Sequence, residues 1–167
     1  MEDKKRILKK TNQKKIVVAF ICTSLNNVAG GLERQLVRVA SELSKFDFKV
    51  FIFSYDNEPA VSFFDIPDNI LWIKCGNGLV PHTSANLIDR LKQIHNLRKI
   101  LIRYSITHFI TFHHGLYPRS FMASLFLPIF KIVSERNSLQ NYQFIKLRKY
   151  NAGFLSLFLA DKITIQL

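Results

Sequence analysis

The stretch KIVVAFICTSL, Lys15 to Leu25, constrains the fold more than any other part of the chain. It is a nearly continuous apolar run rich in β-branched residues. No polar alternation leaves one face to water, so it reads as a strand buried on both sides. Strands of that kind occur in parallel sheets sandwiched between helices. FKVFIFSYD, Phe48 to Asp56, repeats the pattern, and ILWIKC is a shorter third run. ITHFITF, IFKIVSE and DKITIQL supply a fourth, fifth and sixth.

The segments between these runs carry a different period. Leu32, Leu36, Val39, Ala40 and Leu43 recur at helical spacing, with Glu33, Arg34, Arg38 and Glu42 off the stripe. Leu87, Leu91, Ile94, Leu97 and Leu101 form a second stripe, with Ser84 placed to cap it. HHGLYPRSF turns into a short helix that Pro128 closes, and Tyr142 to Leu159 reads as one more helix. NEPAVSFFDIPDN, GNGLVPHTS and RNSLQN are loops by their Gly, Pro and Asn content. The order β-α-β-β-α-β-α-β-α-β predicts an α/β, Rossmann-like open and mostly parallel sheet with helices on both faces. At 167 residues and 48% hydrophobic content, one domain with a sizeable core is expected. Residues 1–14 are read as a basic tail and 15–167 as the domain. The sixth run ends the chain with no closing helix, which suggests the first half of a longer protein.

Charge narrows the partners. The net charge is +12, of which the first fifteen residues hold +5 and the remainder +7. Such a balance favours polyanions: nucleic acid, an acidic membrane surface or phosphorylated small molecules. For the tail, plain solvation is the simpler reading. Cys22 and Cys75 have no CxxC spacing, so neither a metal-site nor a disulfide framework is expected, and Cys22 reads as a buried thiol. No secretory signal is visible. FMASLFLPIF is broken by Pro128, and AGFLSLFLA is too short for a span of ~20 apolar residues. The expected location is cytoplasmic, with the protein touching a membrane at most from outside.

In a doubly wound sheet, ligands bind beyond the carboxyl ends of the strands. Three polar loops fall there: NNVAGG, HHGLYPR and ERNSLQN. Gly30 and Gly31 open the first helix, whose free N–H groups and positive end suit a diphosphate. Their lack of a side chain lets a ligand approach and allows a positive φ. The dinucleotide pattern G-x-G-x-x-G is absent, which disfavours a nicotinamide cofactor. Asp56 sits where a ribose-binding acid would, but strand punctuation is the commoner reading. His113 and His114 are adjacent and point apart, a poor start for zinc, so no metal is expected. One of them can act as general base or hold a sugar hydroxyl; a solvent-facing loop histidine is the alternative. His82, His95 and His108 form no constellation. Glu135, Arg136 and Asn137 follow directly on an apolar strand and can fix a polar ligand by directed hydrogen bonds; a surface ion pair is the alternative. The residues alone lead to an α/β unit that binds something phosphorylated.

The loops then match a known family. Gly30-Gly31-Leu32-Glu33-Arg34 resembles, residue for residue, the Gly-Gly-x-Glu-Arg signature of family-4 glycosyltransferases, which have the two-domain GT-B fold. THFITFHHGLYPRSFMASLFLPIFKIVSERN is similar to the family's fourth strand, helix and fifth strand. Its SERN end, Ser134 to Asn137, resembles a subgroup that makes surface polysaccharides and lipid-linked oligosaccharides. LADKITIQL resembles the sixth strand, and the whole likeness covers about residues 14 to 167. The resemblance implies the N-terminal half of a retaining glycosyltransferase of hexosyltransferase type. Such an enzyme moves a sugar from a nucleotide sugar to a lipid-linked or saccharide acceptor, with no metal and no cofactor beyond the donor itself. It implies that the donor nucleotide is held mostly by a C-terminal domain absent here, so these residues alone are expected to be inactive. Gly30 and Gly31 then face the donor phosphates. Glu135, Arg136 and His114 are the catalytic candidates, Arg136 standing where many members have a histidine. His113, Arg119 and Asn137 fall on the acceptor side. Two alternatives remain: a non-catalytic basic domain binding polyanions or nucleic acid, and a truncated product without activity. Stacking on bases needs exposed aromatics, and the phenylalanines sit mostly in apolar runs that read as core, so nucleic acid is disfavoured.

Overall fold

The computed structural model describes residues 15–76, 87–112, 114–135 and 159–165. Within them lie six strands: β1 Val17–Cys22, β2 Lys49–Ser54, β3 Ile70–Lys74, β4 His108–Thr111, β5 Phe130–Glu135 and β6 Lys162–Ile165. Three α-helices accompany them: α1 Gly31–Ser44, α2 Leu87–Arg103 and α3 Tyr117–Ser124, the last entered through a 3-10 turn, His114–Leu116. The strands form one sheet in the order β3-β2-β1-β4-β5-β6, and every pairing is parallel.

The continuous apolar run does what its composition requires. All six residues of β1 are buried, and they alternate between two cores. Val17, Ala19 and Ile21 join Phe51, Phe53, Phe109, Leu97 and Leu101 on the face covered by α2 and α3. Val18, Phe20 and Cys22 join Val50, Ile52, Leu36, Val37 and Ala40 on the face covered by α1. The open parallel sheet with helices on both faces is therefore the one the sequence predicts.

Three expectations need correction. The α2 stripe was expected to be buried from Leu87 onward. Leu87 is 73% exposed and Leu91 53%, whereas Gln93, Leu97 and Leu101 are buried. The cause is length. A 17-residue helix is about 25 Å long, while a four-residue strand such as β4 spans about 13 Å. The helix outruns the strands, and its first turns keep Leu87 and Leu91 exposed. Secondly, the strands are not all buried. β3 buries only Ile70 among its five residues, and residues 162–164 of β6 are exposed, because both strands lie at sheet edges. Thirdly, the phenylalanines, read as mostly core, are so only in part. Phe46, Phe63, Phe126 and Phe130 are exposed, and Phe126 adopts φ 61 in the turn after α3. Ser84, the basic residues 1–14 and the helix expected from Tyr142 lie outside the described residues.

Both cysteines are free and buried. Burial pushes the Cys22 thiol well above its usual value, with the Asp56 carboxylate adding to the effect, and pushes Cys75 up to about 12. Each thiol therefore favours the folded state while the unfolded chain also keeps it protonated. That contribution declines as pH rises above about 9, where the unfolded chain loses the proton first, until about 12 for Cys75. The slope is about 1.4 kcal/mol per pH unit for each thiol in that window. We expect neither thiol of the native chain to react with a disulfide reagent at pH 8, and both to react in urea. Native labelling at the denatured rate would show the core to be open. His95 is exposed on α2, as its place beside the stripe suggests.

Candidate functional site

The sheet order places its topological switch between β1 and β4, the inner pair from which the connections wind outward in opposite directions. Beyond the carboxyl ends of those two strands a crevice is expected. The loop from β1 to α1 and the turn from β4 to α3 enter it from either side. The register pairs Ile21 with Thr111 and Thr111 with Val133, so β1 and β5 run one and two residues past the end of β4. The loop that leads to Gly30 and Gly31, the His114 turn and Glu135 thus all follow strands at the same edge of the sheet.

The loop after β1 is held by the end of β2. Asp56 is 5% exposed, and its two carboxylate oxygens accept from the Ser24 hydroxyl and from the Leu25 N–H, the latter at 2.8 Å. Asn26 N–H donates in turn to Ser24 Oγ at 3.1 Å. The loop after β2 completes the brace: Asn27 N–H donates to the Val61 carbonyl at 2.8 Å, and Val61 N–H to Asn26 Oδ1 at 3.1 Å. Asp56 is therefore neither a free ribose acid nor idle punctuation. Its carboxylate is fully engaged in fixing the turn that leads to the glycines.

Gly30 is the N-cap of α1, with φ −83 and ψ 157, and no side chain caps the helix. The left-handed residue of this loop is Asn27, φ 53, so the glycines are not there to supply a positive φ. What they supply is space. A Cβ on Gly31 would meet nothing within 4 Å, and one on Gly30 would press on the carboxylate end of Glu33, a flexible side chain that can swing away. The space beside Gly31 is thus open, while the Glu33 carboxylate lies against Gly30, both at the positive end of a 14-residue helix.

On the opposite side, the phenol of Tyr117 donates to the carbonyl of Ser134 at 3.2 Å and ties the start of α3 to the end of β5. That contact steadies the strand end from which Glu135 emerges. His113, Arg136 and Asn137 lie outside the described residues, and for His114 and Glu135 it is the backbone that is placed. Arg119 is part-buried in the first turns of α3, its guanidinium carbon 6.0 Å from the centre of the Tyr55 ring. Burial pushes the Tyr55 phenol far above its usual value despite the opposing pull of Arg119, so it stays a neutral donor.

Sequence reasoning missed Tyr55, Thr23 and the bracing role of Asp56. A signal was available: two apolar runs paired in parallel each end in a polar pair, Thr23-Ser24 and Tyr55-Asp56. Among the described residues there is no group of three or more His, Cys, Asp or Glu placed to hold a metal, and no helix long and apolar enough to cross a membrane.

No protein-family model and no curated protein sequence matches the chain. Solved structures do. Sucrose-phosphate synthase from Thermosynechococcus elongatus superposes with a TM-score of 0.63 at 11% identity, over 89% of this chain and 42% of that one. MurG from Acinetobacter baumannii gives 0.59 at 14% identity, over 92% and 42%. A glycosyltransferase from Rickettsia africae gives 0.57 at 16% identity, over 92% and 43%. The chain spans about two fifths of the length of each. At such identities the likeness concerns the fold alone: an open, Rossmann-like α/β domain that each of these larger proteins contains over about two fifths of its length.

Proposed function

We propose that the chain is the acceptor-side half of a family-4, retaining glycosyltransferase that moves a hexose from a nucleotide sugar to a lipid-linked or saccharide acceptor. One observation carries this reading. The Gly30-Gly31-Leu32-Glu33-Arg34 segment starts α1 at the switch point of the sheet, with open space beside Gly31. A diphosphate is the natural occupant of such a helix start. In this reading Glu135, Arg136 and His114 lie near the reacting sugar. Arg119, His113 and Asn137 hold the acceptor, and the nucleotide belongs mostly to a second domain. The solved likenesses support sugar transfer in general, and the SERN segment supports the choice of acceptor.

Residues 1–167 by themselves are expected to show no transfer, because orientation of the donor and exclusion of water both need closure between two domains. With the second half present, anomer-resolved NMR of the product should show retention. Steady turnover by the purified 167-residue chain would refute the division of labour, and an inverted product would refute the retaining class.

The protein is further proposed to work in the cytoplasm, on the inner face of a membrane. The support is charge: +5 over the first fifteen residues on a chain of +12. Each Lys or Arg near an anionic bilayer contributes about 1 kcal/mol, and salt screens much of it. Co-sedimentation with anionic vesicles is expected at low salt and should fall sharply at high salt. Pelleting that is indifferent to salt, or absent at low salt, would remove the membrane from this reading.

A further inference from the structure

Apart from the start of α1, a second polar cluster lies at the crevice, on the other face of the sheet. Thr23 and Tyr55 are neighbours across β1 and β2: the register pairs Cys22 with Ser54, and Tyr55 N–H donates to the Thr23 carbonyl at 3.1 Å. Strand alternation turns both side chains to the face covered by α2 and α3, since Ile21 and Phe53, two residues earlier, belong to that core. There the Thr23 hydroxyl and the Tyr55 phenol are both buried, and neither has a hydrogen-bond partner among the described residues. Tyr55 is 2% exposed. Over its ring stands the Arg119 guanidinium, 6.0 Å from the centroid, with no carboxylate partner among the described residues.

Two buried hydroxyl groups without partners among the described residues are costly, and the part-buried Arg119 guanidinium over the Tyr55 ring adds a positive charge beside them. Buried polar groups are normally satisfied, and each exception calls for a reason. The nearest acid in sequence, Asp56, bonds to Ser24 and Leu25 and forms no ion pair with Arg119. We infer that Thr23, Tyr55 and Arg119 form a subsite for an oxyanion, a phosphate monoester or diphosphate group of the acceptor. The hydroxyls donate to two of its oxygens, and the guanidinium over the Tyr55 ring donates to the others and supplies the charge. That the oxyanion belongs to an acceptor rests on the sugar-transfer reading above; that an oxyanion binds does not.

The test uses the 167-residue chain with inorganic phosphate and with octyl phosphate as probes, followed by phosphorus NMR, together with melting temperatures. Saturable binding is expected for the native sequence. Arg119→Gln should weaken it at least about tenfold, the loss of a charge-assisted contact, and Arg119→Lys should fall between the two. Tyr55→Phe should weaken binding while melting, without phosphate, no lower than the native chain, because it deletes an unpartnered hydroxyl. A purely structural tyrosine would show the reverse: lower melting and intact binding. Tighter binding of octyl than of inorganic phosphate assigns a lipid headgroup, and equal binding assigns an untethered phosphate group; both uphold the subsite. Failure to saturate, or unchanged affinity in Arg119→Gln, overturns it and leaves the hydroxyls to water. Loss of binding in Gly31→Val with Arg119→Gln unaffected moves the anion to the start of α1 and overturns it equally. Since none of these measurements requires turnover, a failed sugar-transfer assay leaves the result readable.

Discussion

Replacing Asp56 by alanine is expected to cost about 2–4 kcal/mol of stability, a large part of what a domain of this size possesses. The side chain is almost wholly buried and accepts two hydrogen bonds, one from the N–H of Leu25, itself 1% exposed. Alanine strands that N–H away from water, and an orphaned buried donor costs about 1–3 kcal/mol. The Ser24 hydroxyl loses its partner too, but Ser24 is only half-buried and can turn to solvent, so its share is smaller. Asp56→Asn should be milder. One amide oxygen can still accept from Leu25, and the amide nitrogen can donate to Ser24 Oγ after the hydroxyl rotates. Urea unfolding of the three chains measures the order: native, then Asn, then Ala. An alanine variant within about 0.5 kcal/mol of the native chain, the range of ordinary surface changes, would show that the brace bears no weight.

The Asp56 brace also marks where the sequence stops being legible. The fold was readable because a strand buried on both faces has no freedom in composition: VVAFIC and VFIF can go almost nowhere else. Helix α1 was readable because its stripe and its first residue coincide with the structure, Val37 being the one buried position off the expected stripe. The exposed start of α2 was not, since it depends on the helix outrunning the strands, and periodicity contains no information on that. The polar ends of β1 and β2 were not read as a unit either. Their meaning arises from register, which sets Thr23 beside Tyr55 and Ser24 against Asp56, and register is a property of two segments at once. The glycine pair was read correctly in place but wrongly in part of its reason: Asn27 takes the left-handed conformation, and the glycines give only room.

That room leads to the largest effect expected on activity. On the proposed reading, Gly31→Val in the complete enzyme should weaken use of the nucleotide sugar by about five- to thirtyfold, and Gly31→Ala by less. The N-terminal end of a helix contributes about 1–2 kcal/mol to an anion in a partly buried setting, and every 1.4 kcal/mol is tenfold. A valine side chain at Gly31 stands in the space the phosphate would take and holds it away from the N–H groups. The fold should not notice. No atom lies within 4 Å of the added Cβ, the residue is exposed, and no positive φ forbids a side chain there. Glycine is also a poorer helix residue than either replacement, so melting temperature should stay level or rise slightly. The two readings of the pair therefore separate cleanly. If Gly30 and Gly31 serve only a tight strand-to-helix turn, any lost activity will follow lost folded protein. If they serve phosphate approach, donor affinity will fall in a variant that melts like the native enzyme, and valine will exceed alanine because it fills more of the space. Unchanged donor kinetics in a folded Gly31→Val enzyme would empty the start of α1 of its ligand. The oxyanion cluster under Arg119 would then be the remaining anion site at the crevice argued from this chain's own geometry.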